Sequence, residues 1–227
     1  MTNENEKKWR HLYNIYMCWL VYAVSYLGKV NYSANITHIM RFYNISKPEA
    51  GLVPTFFFFS YGIGQVVNGL LCKKYNAKWV IFASLAISAG INFTIPFLLN
   101  FAIVKWLWMI NRFVLSMLWP TLVGLLSYAL PEKDLERSSV IMGTTVAAGT
   151  LVIYGLSSLF SVFNNFWLAF YIPGIVGAAV AVIWLFTEVR YINPKRKRIR
   201  NPVLLLWKKT LPKKKENPLA EKHSCYW

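Results

Sequence analysis

The sequence predicts an all-α, polytopic membrane protein: six transmembrane helices with both termini on the cytoplasmic side. Three observations carry that fold class. Apolar residues make up 56% of the 227 and charged residues only 15%, less charge than a soluble domain of this size carries. The apolar residues come in blocks of about twenty, the length that crosses ~30 Å of hydrocarbon. Lys and Arg are rich in every second loop, as the positive-inside bias requires.

The expected spans are 12–37, 50–71, 78–99, 104–130, 138–162 and 166–187. Residues 1–11 form a cytoplasmic N-terminus and 188–227 a basic cytoplasmic linker or tail. The first span continues past the length of a signal-peptide core and lacks a small-residue cleavage site. Pro48 precedes the second span, Pro131 ends the fourth and Pro173 lies within the sixth. Gly62, Gly64 and Gly69 punctuate the second span and Gly143 and Gly149 the fifth. Gly174, Gly177, Ala178 and Ala181 give the sixth a small-residue face. Small side chains let helix backbones approach closely where lipid supplies no hydrophobic drive.

Orientation follows from the loops. Lys7, Lys8 and Arg10 precede the first span. Lys73, Lys74 and Lys78 follow the second, and Lys133 and Arg137 follow the fourth. The tail 188–227 holds twelve Lys and Arg against three acids. That tail is expected to meet anionic lipid, with 204–207 dipping into the interface. Nucleic acid is disfavoured as a partner, because aromatic interleaving is poor and lipid is nearer.

The spans contain no Asp or Glu, yet Lys29, Lys105 and Arg112 fall inside them. A central cation costs about 2.5–3.5 kcal/mol on insertion scales, so it faces a cavity or a partner. Lys105 lies at a span edge and can snorkel to water. Lys29 alone fits either a snorkelling anchor or a cavity charge. Arg112 is about two turns inside its span, with apolar sequence on both sides. Helical spacing puts Tyr22, Ser25, Tyr26, Lys29, Tyr32 and Ser33 on one stripe. Trp108, Arg112, Ser116 and Trp119 make a second stripe, Tyr61, Gln65 and Asn68 a third, and Thr150, Tyr154 and Ser157 a fourth. Such aromatic stripes are more often packing or interface belts, but these two carry cations with no intramembrane acid. An anion from outside the protein would satisfy them.

The same residues carry a family resemblance. "YLGKVNYS", 26–33, resembles the first-span signature of the organophosphate:phosphate antiporters, within the major facilitator superfamily. The resemblance covers about residues 8–190, as the N-terminal six-helix half of such a transporter. The family's phosphate-binding arginine falls on Lys29, and its site tyrosines on Tyr22 and Tyr26. The "YGxxK" of the second span appears as Tyr61 to Gln65, with Gln65 replacing the cation. A family histidine falls on Thr145. "RFVLSMLWP", 112–120, resembles the Arg-x-x-x-Gly and Trp-Pro pattern, with Arg112 and Trp119 in register and Ser116 in place of glycine. The loop "GLLCKKYNAK", 69–78, has lost the acidic gate residue, which falls on Lys73.

The resemblance implies alternating access, with a small organic anion, such as a sugar phosphate or other phosphate ester, held near the midplane. The site would use Lys29, Tyr22, Tyr26, Tyr61, Gln65, Arg112, Trp119 and Thr145. It also implies inverted three-helix repeats and a fold of about twelve spans, two six-helix halves. Three expectations therefore stand for the chain: a truncated product, a half that works with a second half or with itself, or a non-transporting membrane sensor or scaffold. No enzyme signature, cofactor motif or metal-ligand spacing stands out; His11, His38 and His223 are scattered, and Cys18, Cys72 and Cys225 fit no framework.

Overall fold

The fold is seen in a computed structural model, which describes residues 2–71, 76–163 and 165–187. The basic tail, its interfacial segment and Lys73 and Lys74 lie outside the described residues. Every regular element among the described residues is helical. In order they are α1 (Thr2–Ala34), α2 (Ile36–Tyr43), α3 (Lys47–Leu71) and α4 (Ala77–Thr94), then a 3₁₀ turn (Ile95–Phe97). After these come α5 (Phe101–Ser116), α6 (Leu118–Ala129), α7 (Glu132–Val162) and α8 (Leu168–Phe186).

Local chemistry sets these boundaries. Asn44 closes α2 in the left-handed region at φ 51°, a conformation Asn tolerates. The Asn76 and Asn100 side chains accept from Lys78 N and Ala102 N and so cap α4 and α5. Against the expected spans, α1 begins well before residue 12, and the first span bends at Asn35 into α2. The expected fourth span is two helices, α5 and α6, broken at Met117.

Five segments are long and apolar enough to cross a bilayer: Lys47–Asn68, Ala77–Phe97, Phe101–Ala129, Glu132–Val162 and Leu168–Phe186. The α1 helix is not among them; its first third is polar and its remainder is rich in Tyr and Asn. The outward surface is apolar, with Val140, Leu151 and Phe186 largely exposed. Exposed side chains of this kind suit lipid rather than water.

The main seams are α1 on α7, α4 on α8 and α3 on α5. Glycine allows two of them. A Cβ on Gly149 would stand 2.6 Å from Ala23 O and 2.5 Å from Tyr26 Cβ, so α7 meets the backbone of α1. A Cβ on Gly64 would strike the Ser116 hydroxyl and come within 2.9 Å of Phe113 O.

Two apolar clusters fill the ends of the bundle. One gathers Ile15, Cys18, Ile81, Leu122, Met142 and Trp184. The other gathers Ile39, Val53, Ile95, Val104, Trp108 and Phe170. At the depth between them lie buried polar residues: Lys29, Asn31, Ser88, Asn92, Asn111, Arg112 and Ser116.

Three polar side chains, Asn31 of that layer together with Tyr32 and Gln65, repair prolines. A proline inside a helix leaves the carbonyl four residues earlier without its N–H partner. Pro54 frees Ala50 O, which accepts from the Tyr32 hydroxyl at 3.1 Å. Pro120 frees Ser116 O, which accepts from Gln65 Nε2 at 3.0 Å. Pro173 frees Ala169 O, which accepts from Asn31 Nδ2 at 3.0 Å. In each case a side chain from another helix restores the bond, as a membrane interior demands.

Candidate functional site

A cleft of about 470 Å³ opens beside the polar layer. Its lining comes from four helices. The α1 helix contributes Tyr26, Lys29, Val30, Tyr32 and Ser33; α3 contributes Pro54, Phe57, Phe58 and Tyr61. Trp108 and Arg112 come from α5 and Tyr154 from α7.

Both central cations reach this cleft. Lys29 is 2% exposed, and its Nζ lies 4.5 Å from the Tyr22 ring centroid and 4.6 Å from that of Tyr26. Helical side chains lean toward the N-terminus, so Lys29 meets rings three and seven residues earlier. Desolvated cation–π contacts of this kind are worth about 2 kcal/mol or more each, against a cost of several kcal/mol for a charge that leaves water. Arg112 is 4% exposed and lies 3.5 Å over the Phe57 ring. It donates through Nη2 to the Lys29 carbonyl, and the adjacent Asn111 Nδ2 donates to Gly28 O at 2.9 Å. So α5 grips α1 at this turn, and the carbonyl contact is one partner for Arg112. Its Nε is buried with no hydrogen-bond partner among the described residues.

No carboxylate answers these charges. The ion pairs among the described residues are His11 with Asp134 at 2.8 Å and Lys105 with Glu49 at 3.8 Å. The first ties the start of α1 to the start of α7. The second accounts for Lys105 at its span edge. Two like charges in one cleft of low polarity repel each other, and an anion placed between them would relieve both.

The cleft thus brings together Tyr26, Lys29, Tyr61 and Arg112 of the expected site. The other four expected residues stand outside its lining. Tyr22 backs Lys29 from behind, edge-on to Tyr26 at 5.4 Å and against Trp119 at 4.9 Å. Trp119 borders a separate cavity of about 130 Å³ with Leu135 and Met142. Gln65 is committed to the carbonyl freed by Pro120. Thr145 is fully buried and donates to Met142 O at 2.5 Å, within its own helix. Phe57, Phe58 and Pro54 are cleft residues that sequence reasoning did not single out. Phe57 and Phe58 belong to the run "FFFF", whose apolarity reads as plain lipid contact.

Comparison with known proteins agrees with this architecture. The chain is similar to a membrane sensor protein, UhpC, of Escherichia coli, 27% identical over 42% of the chain and 22% of the relative. It is similar to a chloroplastic ascorbate transporter of Arabidopsis thaliana, 23% identical over 93% of the chain and 42% of the relative. A probable hexose phosphate transport protein of Chlamydia pneumoniae is 19% identical over 81% of the chain and 40% of the relative. The chain therefore spans less than half the length of these relatives. Residues 18–220 match the model of the Major Facilitator Superfamily, and with its helical bundle of membrane-crossing length the chain belongs to that family.

Proposed function

We propose that this chain forms the N-terminal six-helix half of an alternating-access transporter for a small organic anion, with α1 as the first span beside the five segments above and both termini in the cytoplasm. Phosphate esters are within the expected substrate class. Lys29 and Arg112 hold the anionic group, Tyr26 and Tyr61 line its seat, and Tyr22 supports Lys29. The observation that carries the reading is the pair of buried cations in one cleft, neither of them paired with a carboxylate among the described residues. Names of relatives support it, since ascorbate and hexose phosphate are both anions.

Alternating access needs a complementary six-helix half across the cleft, on this or another chain. The chain acts as a carrier without chemistry on its substrate, and needs no cofactor. Exchange or uniport suits the site better than proton symport, because no carboxylate lines the cleft to carry the proton. The test is anion uptake by proteoliposomes holding the chain and its complementary half. Uptake that survives both Lys29→Ala and Arg112→Ala unchanged would sink the proposal.

A sensor is the second reading, and the similarity to a membrane sensor protein favours it. It uses the same cleft for binding without translocation. Anion binding with no flux, in the same proteoliposomes, decides for it.

A further inference from the structure

We infer that the cleft selects an anion with a flat, apolar body over a polyhydroxylated one such as a sugar phosphate. The inference rests on the anion reading above and narrows its substrate class. Beyond the two cations, the lining is almost wholly aromatic and aliphatic, and no amide or carboxylate side chain belongs to it. The one lining hydroxyl deepest in the helix seam, that of Tyr32, already serves the carbonyl freed by Pro54.

A hexose brings several hydroxyl groups, each of which needs a partner once it leaves water. Sites that read hydroxyl groups supply side-chain amides and carboxylates for them. Beyond the two cations, this cleft supplies only Ser33 and tyrosine hydroxyls and the Trp108 indole N–H. Its walls instead present ring faces. Phe57 and Tyr61 lie nearly parallel, with centroids 6.2 Å apart and planes 10° apart, and both belong to the α3 wall of the cleft. The guanidinium of Arg112 sits on the Phe57 end of that wall. A ring joined to an anionic group can therefore lie along the wall with its charge at Arg112 and Lys29. The volume of about 470 Å³ lies within the range for drug-sized ligands. Inorganic phosphate would leave most of it wet.

Isothermal titration calorimetry of the full chain in lipid nanodiscs separates the two readings. The probes are phenyl phosphate, glucose 6-phosphate, inorganic phosphate and uncharged benzyl alcohol. Phenyl phosphate is expected to bind about ten-fold tighter than either other phosphate, a difference of about 1.4 kcal/mol. Tyr61→Ser is expected to narrow that gap; if the variant does not fold, the wild-type ranking decides. Equal affinity for the three phosphates, or tighter binding of glucose 6-phosphate, overturns this inference and leaves the anion site standing. Benzyl alcohol binding as tightly as phenyl phosphate, or no phosphate binding at all, overturns both.

Discussion

Two residues apart on α1, Asn31 and Lys29 are both buried, at 0% and 2% exposure, and meet opposite kinds of neighbour. Positions i and i+2 lie about 200° apart around a helix, so they look out from nearly opposite faces. Asn31 faces α4 and α8. Its amide donates to Asn92 Oδ1 at 2.7 Å and to Ala169 O at 3.0 Å, and its own oxygen accepts from Tyr32 N at 3.1 Å. Lys29 faces the cleft and finds only rings. A polar side chain within a bilayer is therefore not a site by itself. One face of this turn is closed structure, and the other carries a cation with no carboxylate beside it among the described residues.

Breaking the open face should give the largest effect. Arg112→Ala removes a charge and the grip on the Lys29 carbonyl together; anion uptake in proteoliposomes should fall by about 100-fold, near 2.7 kcal/mol. The seam that holds α1 in place comes next. Gly149→Val puts a branched side chain against Ala23 O and Tyr26, and should cost about 1–3 kcal/mol of stability by thermal unfolding in detergent. It should also weaken anion binding, because Tyr26 moves with the seam.

The closed face should separate from the open one. Asn31→Leu leaves Ala169 O and Asn92 Oδ1 short of a donor and should cost about 1–2 kcal/mol of stability. Its ranking of anionic ligands should stay that of the wild type; a changed ranking would mean that the two faces are coupled. Lys29→Ala should do the reverse. Binding should weaken about ten-fold, about 1.4 kcal/mol, while the melting temperature holds or rises, since a buried charge has gone. The smallest effect belongs to Gln65→Leu, about 0.6 kcal/mol, the average for an interhelical membrane hydrogen bond. Pro120→Ala should erase that loss in the double mutant, because residue 120 then offers its own N–H to Ser116 O.

The proline repairs explain what could and could not be read beforehand. Lys29 and Arg112 were legible as cations amid apolar sequence, because charge in hydrocarbon is costly wherever the helix faces. Gln65 was legible only as a polar residue on a stripe. Its partner is a backbone carbonyl 51 positions away, freed by a proline whose effect shows only when α3 meets α5. Thr145 and Trp119 carry the same lesson. Both sit at helical positions that could face the cleft, and packing turned them toward Met142 and Tyr22. Of the aromatic wall, Tyr61 was legible on its polar stripe and Phe57 was not, since a phenylalanine facing lipid and one facing a ligand read alike.

By itself the sequence determined that the chain is helical, that it is built for a bilayer and that its expected spans carry Lys29, Lys105 and Arg112 without an acid. Those follow from composition and spacing, which depend on solvent and on hydrogen bonding along one helix. Only the tertiary structure decided that Lys29 and Arg112 share one cleft, that Asn31 and Gln65 mend helices and that rings line the seat. Those depend on which faces meet, and the meeting is set by glycines, by carbonyls that prolines free and by shape across residues far apart in the chain.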